Sequence, residues 1–200
     1  MVLENSFNKL IEARHGTILY NKNDIYIGKS IEKYGEFSYL EAKIFEQICK
    51  DGDVVIEVGA NIGAHTLYLS KLVGNGYVFA FEPQRLVFQN LCANLALNSI
   101  SNVFAYQEAV SNENGTIIIP ECNFKDNNNF GGINIENAKN GTTVNRQKLD
   151  NFLNKIDIMK LLKIDVEGME ILVIKGANFL FVNFRPIIYI VIDIQELSLR

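Results

Sequence analysis

Acidic side chains close four apolar runs of this 200-residue chain. These acids are Glu57, Glu82, Glu108 and Asp165. Because parallel strands end along one edge of a sheet, their carboxylates are expected to meet at that edge. The carboxyl edge is also where open α/β sheets bind ligands, so the pattern predicts a ligand site lined by acids.

Glu82 closes its apolar run about twenty residues beyond a glycine turn, the spacing at which an acid holds the ribose of a nucleoside cofactor. A carboxylate can accept hydrogen bonds from both ribose hydroxyls. The alternative is an acid that stabilises the dipole of the helix that follows it.

The turn itself is Gly59-Ala-Asn-Ile-Gly63 and lacks the G-x-G pair of dinucleotide sites. Glu57 would also place a negative charge where a pyrophosphate should lie. Both features disfavour a nicotinamide-dependent oxidoreductase. They favour S-adenosylmethionine, which has a sulfonium, an ammonium and a ribose but no phosphate. Glu57 would bind the ammonium of the cofactor, directly or through water, and the backbone amides of the turn would bind its carboxylate.

Alternating apolar strands and amphipathic helices are predicted to position these groups. Short connections link a strand at 54–58, a helix at 64–73, a strand at 77–81, a helix ending near Asn98 and a strand at 103–106. This β-α-β-α-β order predicts a doubly wound, mostly parallel α/β sheet. Later elements are strands at 116–119, 159–164 and 186–192, a short helix from Leu149, and a helix marked by Ile171, Ile174, Ala177 and Phe181.

The chain is divided into an extension, residues 1–33, and one domain, residues 34–200. In the extension, β-type runs at 17–20 and 25–27 flank a turn-like segment and predict a hairpin. Ser38 and Glu41 have the spacing of a capping box ahead of a helix. The segment 123–141 is polar and aperiodic, which is typical of a lid or binding loop.

Composition excludes several classes of protein. The net charge of −4, without a cluster of Lys or Arg, argues against a nucleic-acid partner. Three widely separated cysteines indicate reduced thiols. The charged amino-terminal stretch does not resemble a secretory signal, and Asn183, Arg185 and Pro186 interrupt the longest apolar stretch. We therefore expect a cytoplasmic protein with no membrane span.

Four segments together resemble the FkbM family of S-adenosylmethionine-dependent methyltransferases. They are Tyr34-Gly-Glu-Phe-Ser-x-x-Glu41, Glu57-Val-Gly-Ala-Asn-Ile-Gly63, Ala80-Phe-Glu-Pro83 and Leu162-Lys-Ile-Asp-Val-Glu-Gly-Met-Glu170. The resemblance covers roughly residues 34–192 and implies the Rossmann-like class I methyltransferase fold.

The resemblance also implies roles for individual residues. The methionine moiety would be lined by Glu57, Gly59, Ala60, Asn61 and Gly63. The ribose would be held by Glu82, and the adenine would lie near Pro83, Gln84, Glu108 and Ala109.

Methyl transfer would be in line from sulfur to an acceptor oxygen. Asp165 is the first candidate for the base or acceptor-orienting group, and Glu167 is the second. Asp165 could equally cap a helix beginning near Gly168, or hold Mg²⁺ with a neighbour; no metal ligand is assigned. Asp193 is an acceptor-side candidate.

The carboxyl-terminal part departs from the family pattern. Five core strands are predicted, whereas such methyltransferases usually add a terminal antiparallel pair, so the chain is short at its carboxyl end and truncation is one explanation. The last strand would then be an open edge, covered by a second copy in a homodimer or by the amino-terminal hairpin. The predicted function is O-methylation of a sugar, glycan or secondary metabolite. The alternative is a truncated, inactive protein that binds cofactor or a partner.

Overall fold

The computed structural model describes residues 3–133, 135 and 138–192. Its strands are β1 Leu3–Glu4, β2 Asn8–Ala13, β3 Gly16–Asn21, β4 Val54–Val58, β5 Tyr77–Phe81, β6 Val103–Tyr106, β7 Ala109–Val110, β8 Gly115–Ile119, β9 Thr142–Gln147, β10 Leu161–Ile164 and β11 Ile187–Ile190. Its helices are α1 Ile27–Tyr34, α2 Tyr39–Ile48, α3 Ala64–Val73, α4 Arg85–Leu97, α5 Glu170–Lys175 and α6 Asn178–Phe184, with a 3₁₀ helix at Leu149–Phe152.

The central sheet has five parallel strands in the order β11-β10-β4-β5-β6. The side chains of successive β4 residues lie on opposite faces of the sheet. Val55 packs with residues of α2 and α3, whereas Ile56 and Val58 pack with the 3₁₀ helix, α5 and α6. Burial on both faces explains the continuous apolar runs. The predicted α/β fold with a doubly wound, mostly parallel sheet is confirmed.

One predicted helix is two helices in the structure. α5 ends at Gly176, where a Cβ would lie 2.1 Å from the Ser111 carbonyl oxygen. A new helix starts at Asn178 because the Asp150 carboxylate accepts hydrogen bonds from the amides of Phe179 and Leu180, at 2.9 and 3.0 Å. A distant acid therefore caps α6, which spacing along the chain cannot reveal.

The amino-terminal hairpin joins different strands from those predicted. β2 pairs with β3, and the predicted strand at 25–27 is wrong, because Ile27 begins α1. The Asp24 carboxylate accepts a hydrogen bond from the Tyr26 amide at 2.8 Å and favours a turn there. Since the hairpin forms a separate sheet with β1, it does not pair with β11.

Two asparagines of α4 hold the hairpin. Asn94 Oδ1 accepts from the Leu19 amide at 2.6 Å, and Asn94 Nδ2 donates to the Leu19 carbonyl at 3.0 Å. Asn98 makes the same two bonds with Thr17, at 2.9 and 2.7 Å. Residues four apart on a helix rise about 6 Å, close to the spacing of alternate strand residues. The two side chains thus act as a partner for the edge of β3.

The start of α2 is predicted correctly, but the capping mechanism is wrong. Ser38 has φ 48° and makes no side-chain bond to the helix backbone. Its hydroxyl instead donates to Glu41 Oε1 at 2.6 Å.

A small sheet, β7-β9-β8, flanks the carboxyl edge of the central sheet. The sequence reading missed β7 and β9. In the described part of the chain, none of the helices combines the length and apolar character needed to cross a bilayer.

Candidate active site

A cleft of about 490 Å³ lies at the carboxyl edge of the central sheet. The segments that follow β4, β5, β6 and β10 supply most of its wall. Its lining residues are Val58, Gly59, Phe81, Glu82, Pro83, Gln84, Glu108, Ala109, Val110, Gly131, Ile133, Ile135, Asp165, Val166, Glu167 and Met169.

The cleft brings together most of the residues singled out in the sequence. Those on its wall are Gly59, Glu82, Pro83, Gln84, Glu108, Ala109, Asp165 and Glu167. Those not on it are Glu57, Ala60, Asn61 and Gly63. The ribose, adenine and acceptor-side candidates therefore share one cleft, whereas most of the candidates for the methionine moiety lie behind its wall.

Glu82 is a buried carboxylate, and no Lys, Arg or His of the described residues forms an ion pair with it. Its Oε2 accepts from the Asn61 amide at 3.0 Å, and its Oε1 accepts from the Gln84 amide at 2.8 Å. Burial raises the pKa of Glu82 to about 7, although the two amides act against the shift. Each oxygen keeps a second lone pair for a further donor.

Glu57 has a different environment. It is 1% exposed, and its Oε2 accepts from the Thr66 hydroxyl at 2.6 Å. Its Oε1 lies 3.6 Å from Lys163 Nζ. Burial raises the pKa of the Glu57 carboxyl, while Lys163 and Thr66 act in the opposite direction. The carboxylate is thus held by the protein's own hydroxyl and ammonium.

Lys163 is a functional candidate that the sequence reading missed. It pairs in register with Glu57 across β10 and β4, is 1% exposed, and places Nζ 3.3 Å from Asp165 Oδ2. A signal was available, because a lysine inside the apolar run Leu161–Ile164 must find counter-charges when that strand is buried.

The amides of the glycine turn are all used inside the protein. Those of Gly59 and Ala60 donate to the Phe81 carbonyl, and that of Gly63 donates to the Ala60 carbonyl. The Asn61 amide donates to Glu82, and the Ile62 amide donates to Asn61 Oδ1. The expectation that these amides stand ready for a carboxylate is therefore wrong for this conformation.

The two turn glycines have structural roles. A Cβ at Gly59 (φ 84°) would lie 1.8 Å from the Asp165 carbonyl oxygen, so this glycine lets the loops after β4 and β10 touch. A Cβ at Gly63 (φ 85°) would lie 2.6 Å from Leu91 Cδ1, so this glycine lets the start of α3 approach α4. Both conformations favour glycine over any residue with a side chain.

Asp165 and Glu167, the candidates for the acceptor side, both line the cleft on the loop after β10. The Asp165 side chain is 29% exposed and pairs with Lys163. α5 begins at Glu170 without a side-chain cap, so Asp165 does not cap it. Glu167 adopts φ 49°, unusual for a residue with a side chain, and this turn directs the loop along the cleft. Among the described residues, no group of three His, Cys, Asp or Glu could hold a metal.

The wall that contains the adenine candidates Glu108 and Ala109 combines β7 with polar groups. Ala109 begins β7 and is buried, and Glu108 is half-buried before it. Gln147 of β9 donates a hydrogen bond to the Glu108 carboxylate. Glu108 is therefore fixed by a strand that the sequence reading did not predict.

Residues 123–133, the strap, run over one side of the cleft. Gln84 Nε2 donates to the Phe130 carbonyl at 2.8 Å, and the Phe124 and Phe130 rings stack at 4.5 Å. Asn21 and Asn23 of the amino-terminal segment both donate to the Phe124 carbonyl, at 2.8 and 3.0 Å. The extension therefore fastens the strap.

His65 is 4% exposed and does not line the cleft. Its Nδ1 lies 3.9 Å from Glu41 Oε2, and burial lowers its pKa well below the usual range. Asp193 lies outside the described residues.

Comparisons with known families and known proteins both find methyltransferases. A family model described as the methyltransferase FkbM domain matches residues 57–198. A relative named Methyltransferase sdnD, from Sordaria araneosa, is 30% identical over 184 residues, 72% of this chain and 70% of that protein.

Two solved structures align less closely. An rRNA methylase from Streptococcus thermophilus is 11% identical over 80% of this chain and 75% of that chain, with a TM-score of 0.46. A putative rRNA methylase from Clostridium thermocellum is 30% identical over 35% of this chain and 40% of that chain, with a TM-score of 0.34. The alignment thus spans less than half of the second structure.

Proposed function

Because the chain belongs to the FkbM methyltransferase family, we propose that it uses S-adenosylmethionine to methylate a hydroxyl oxygen. The acceptor is a sugar, a glycan or a secondary metabolite. The acceptor class rests on the resemblance of the sequence motifs, and the net charge of −4 disfavours a nucleic acid.

One observation carries the proposal, namely the carboxylate of Glu82 on the cleft wall. It is 3% exposed, is fixed by two backbone amides and forms no ion pair with any of the described residues. A buried carboxylate in this state has spare acceptor capacity, and a ribose diol supplies two donors that match it.

The rest of the cleft fits the same ligand. Pro83, Gln84, Glu108 and Ala109 line the part of the cleft where the adenine would lie. Phe81, Val110 and Met169 supply further apolar surface. Without phosphate-binding glycines, or an ion-pair partner for Glu82 in the described part of the chain, the wall suits a nucleoside better than a nucleotide.

The bound cofactor would supply a methyl group on a positively charged sulfur, the electrophile of the reaction. Asp165 would orient the acceptor hydroxyl and accept its proton as the new O–C bond forms, the C–S bond breaks and its electron pair remains on sulfur. Glu167, on the same loop, is the second candidate for this role. The burial of Glu57 and Lys163 keeps water away from the charges beneath the site.

Calorimetric titration tests the cofactor. The protein is expected to bind S-adenosylmethionine and S-adenosylhomocysteine but not NAD. Binding of NAD alone would refute the proposal.

Methyl transfer is then followed with S-adenosylmethionine carrying a radioactive methyl group and a panel of hydroxylated sugars and metabolites. Asp165→Asn is expected to keep cofactor affinity and to lose turnover. If cofactor binds but no acceptor in the panel is methylated, the inactive, binding-only alternative gains support.

A further inference from the structure

Lys163 is a buried ammonium that the proposed reaction does not yet use. It lies in register with Glu57 of β4 on one side and Tyr189 of β11 on the other. The titratable groups that face it come from five elements or loops. They are Glu41 of α2, Glu57 of β4, His65 of α3, Tyr189 of β11 and Asp165 of the loop after β10.

The charges around Lys163 are unequal. Burial acts to lower its pKa, but the carboxylates of Asp165, Glu57 and Glu41 outweigh burial and raise the pKa above its ordinary value. His65 is held neutral by burial, to which Lys163 adds. The single ammonium of Lys163 thus interacts with three carboxylates. Two of them, Glu57 and Asp165, lie beside the contact between the loops after β4 and β10.

Resting on the function proposed above, we propose that Lys163 is a positioning residue for methyl transfer, which holds Glu57 behind the wall and Asp165 on the wall at the methyl end of the cleft. The ammonium lies 3.6 Å from Glu57 Oε1 and 3.3 Å from Asp165 Oδ2. It thereby connects β4 with the loop after β10, which carries the candidate base. Lys163 does not line the cleft, so it acts through these carboxylates.

Burial raises the pKa of the Glu57 carboxyl, and Lys163 is one of the two groups that oppose this rise, so loss of the ammonium favours the protonated form of Glu57 further. The methyl end would then lose a negative charge that favours a sulfonium. S-adenosylmethionine carries this positive charge and S-adenosylhomocysteine does not. The ratio of their dissociation constants therefore reports on the carboxylates, and because both ligands contain the ribose, protonation of Glu82 cancels in the ratio.

The experiment measures this ratio by calorimetry between pH 6 and pH 9 for the whole chain and for Lys163→Met. In the variant, the preference for the methylated ligand is expected to fall about fivefold to tenfold at pH 6 and to recover toward pH 9, where a buried glutamate ionises. Lys160→Met, at a half-buried lysine before β10, is the matched control and should behave as the wild type.

A ratio in Lys163→Met that equals the wild-type ratio at every pH overturns the inference. If Lys163→Met does not fold, Glu57→Gln/Lys163→Met is expected to fold, because no unpaired buried carboxylate remains at position 57. An unfolded double variant also overturns the inference. A wild-type protein that binds neither ligand contradicts the proposed function instead, and the folding comparison still tests the pairing.

Discussion

Glu57 and Glu82 are both buried acids at the ends of neighbouring parallel strands, yet the structure uses them differently. Glu57 is the penultimate residue of β4, so its side chain lies within the sheet face covered by α3, where it meets Thr66 and Lys163. Glu82 follows the last residue of β5 and lies on the rim, held only by backbone amides.

A shift of two residues relative to the strand end therefore separates a carboxylate that is paired with the protein's own lysine from one that keeps acceptor capacity for a ligand. In the sequence, both acids look alike, since each closes an apolar run. From this comparison we expect Glu57 mainly to support the site and Glu82 mainly to bind the cofactor.

The largest expected effect concerns the stability of the buried pair. Glu57→Ala leaves Lys163 with one counter-charge fewer, and we expect the free energy of unfolding to fall by about 3 kcal/mol. Glu113→Ala, which removes an exposed partner of Arg146, should cost about 0.5 kcal/mol. Urea denaturation measures both, and equal losses would remove the distinction between Glu57 and a surface acid.

Glu82→Ala should weaken the binding of S-adenosylmethionine. Loss of hydrogen bonds to a charged acceptor is worth about 1.5–3 kcal/mol, so the dissociation constant for S-adenosylmethionine should rise about 10-fold to 100-fold. Glu46→Ala, on the exposed surface of α2, is the control. If Glu82→Ala weakens cofactor binding less than Glu57→Gln does, then Glu57, not Glu82, is the acid that mainly binds the cofactor.

The pH dependence separates the two acids further. Because the pKa of Glu82 is raised to about 7, its contribution to stability is present below the ordinary value of 4.5 and is lost as pH rises toward 7. Only the ionised carboxylate accepts from both ribose hydroxyls, so affinity should rise about tenfold between pH 6 and pH 8. Calorimetry should find no such rise in Glu82→Gln.

The smallest effect concerns the strap, which is tied to the Glu82 side of the cleft through Gln84. Asn23→Ala removes one hydrogen bond to the Phe124 carbonyl, worth about 1 kcal/mol, and should weaken S-adenosylmethionine binding about threefold to fivefold. Asn178→Ala, at the start of α6, should leave affinity unchanged. An unchanged dissociation constant for Asn23→Ala would mean that the strap does not affect cofactor binding on the Glu82 side of the cleft.

The sequence predicted those features that depend on neighbours along the chain. The runs at β4, β5 and β6 are apolar on both faces, so their strands and the α/β order could be predicted, and the FkbM resemblance is confirmed by the family match. The roles of the individual site residues stay predictions.

Features that depend on register or distant contacts could not be predicted. The pairing of Lys163 with Glu57 requires the alignment of two strands more than 100 residues apart. The strap has no periodicity, and its anchor Asn21 lies 103 residues from Phe124. The helix break before α6 depends on Asp150, about 30 residues earlier.

The asparagine pairing between α4 and β3 also sets an order of events during synthesis. Asn94 lies 75 residues after Leu19, so the hairpin leaves the ribosome long before its partner helix exists. At about 5–20 residues per second, β3 waits about 4–15 s with its backbone edge uncovered. During that interval the exposed edge of β3 is open to pairing with another strand.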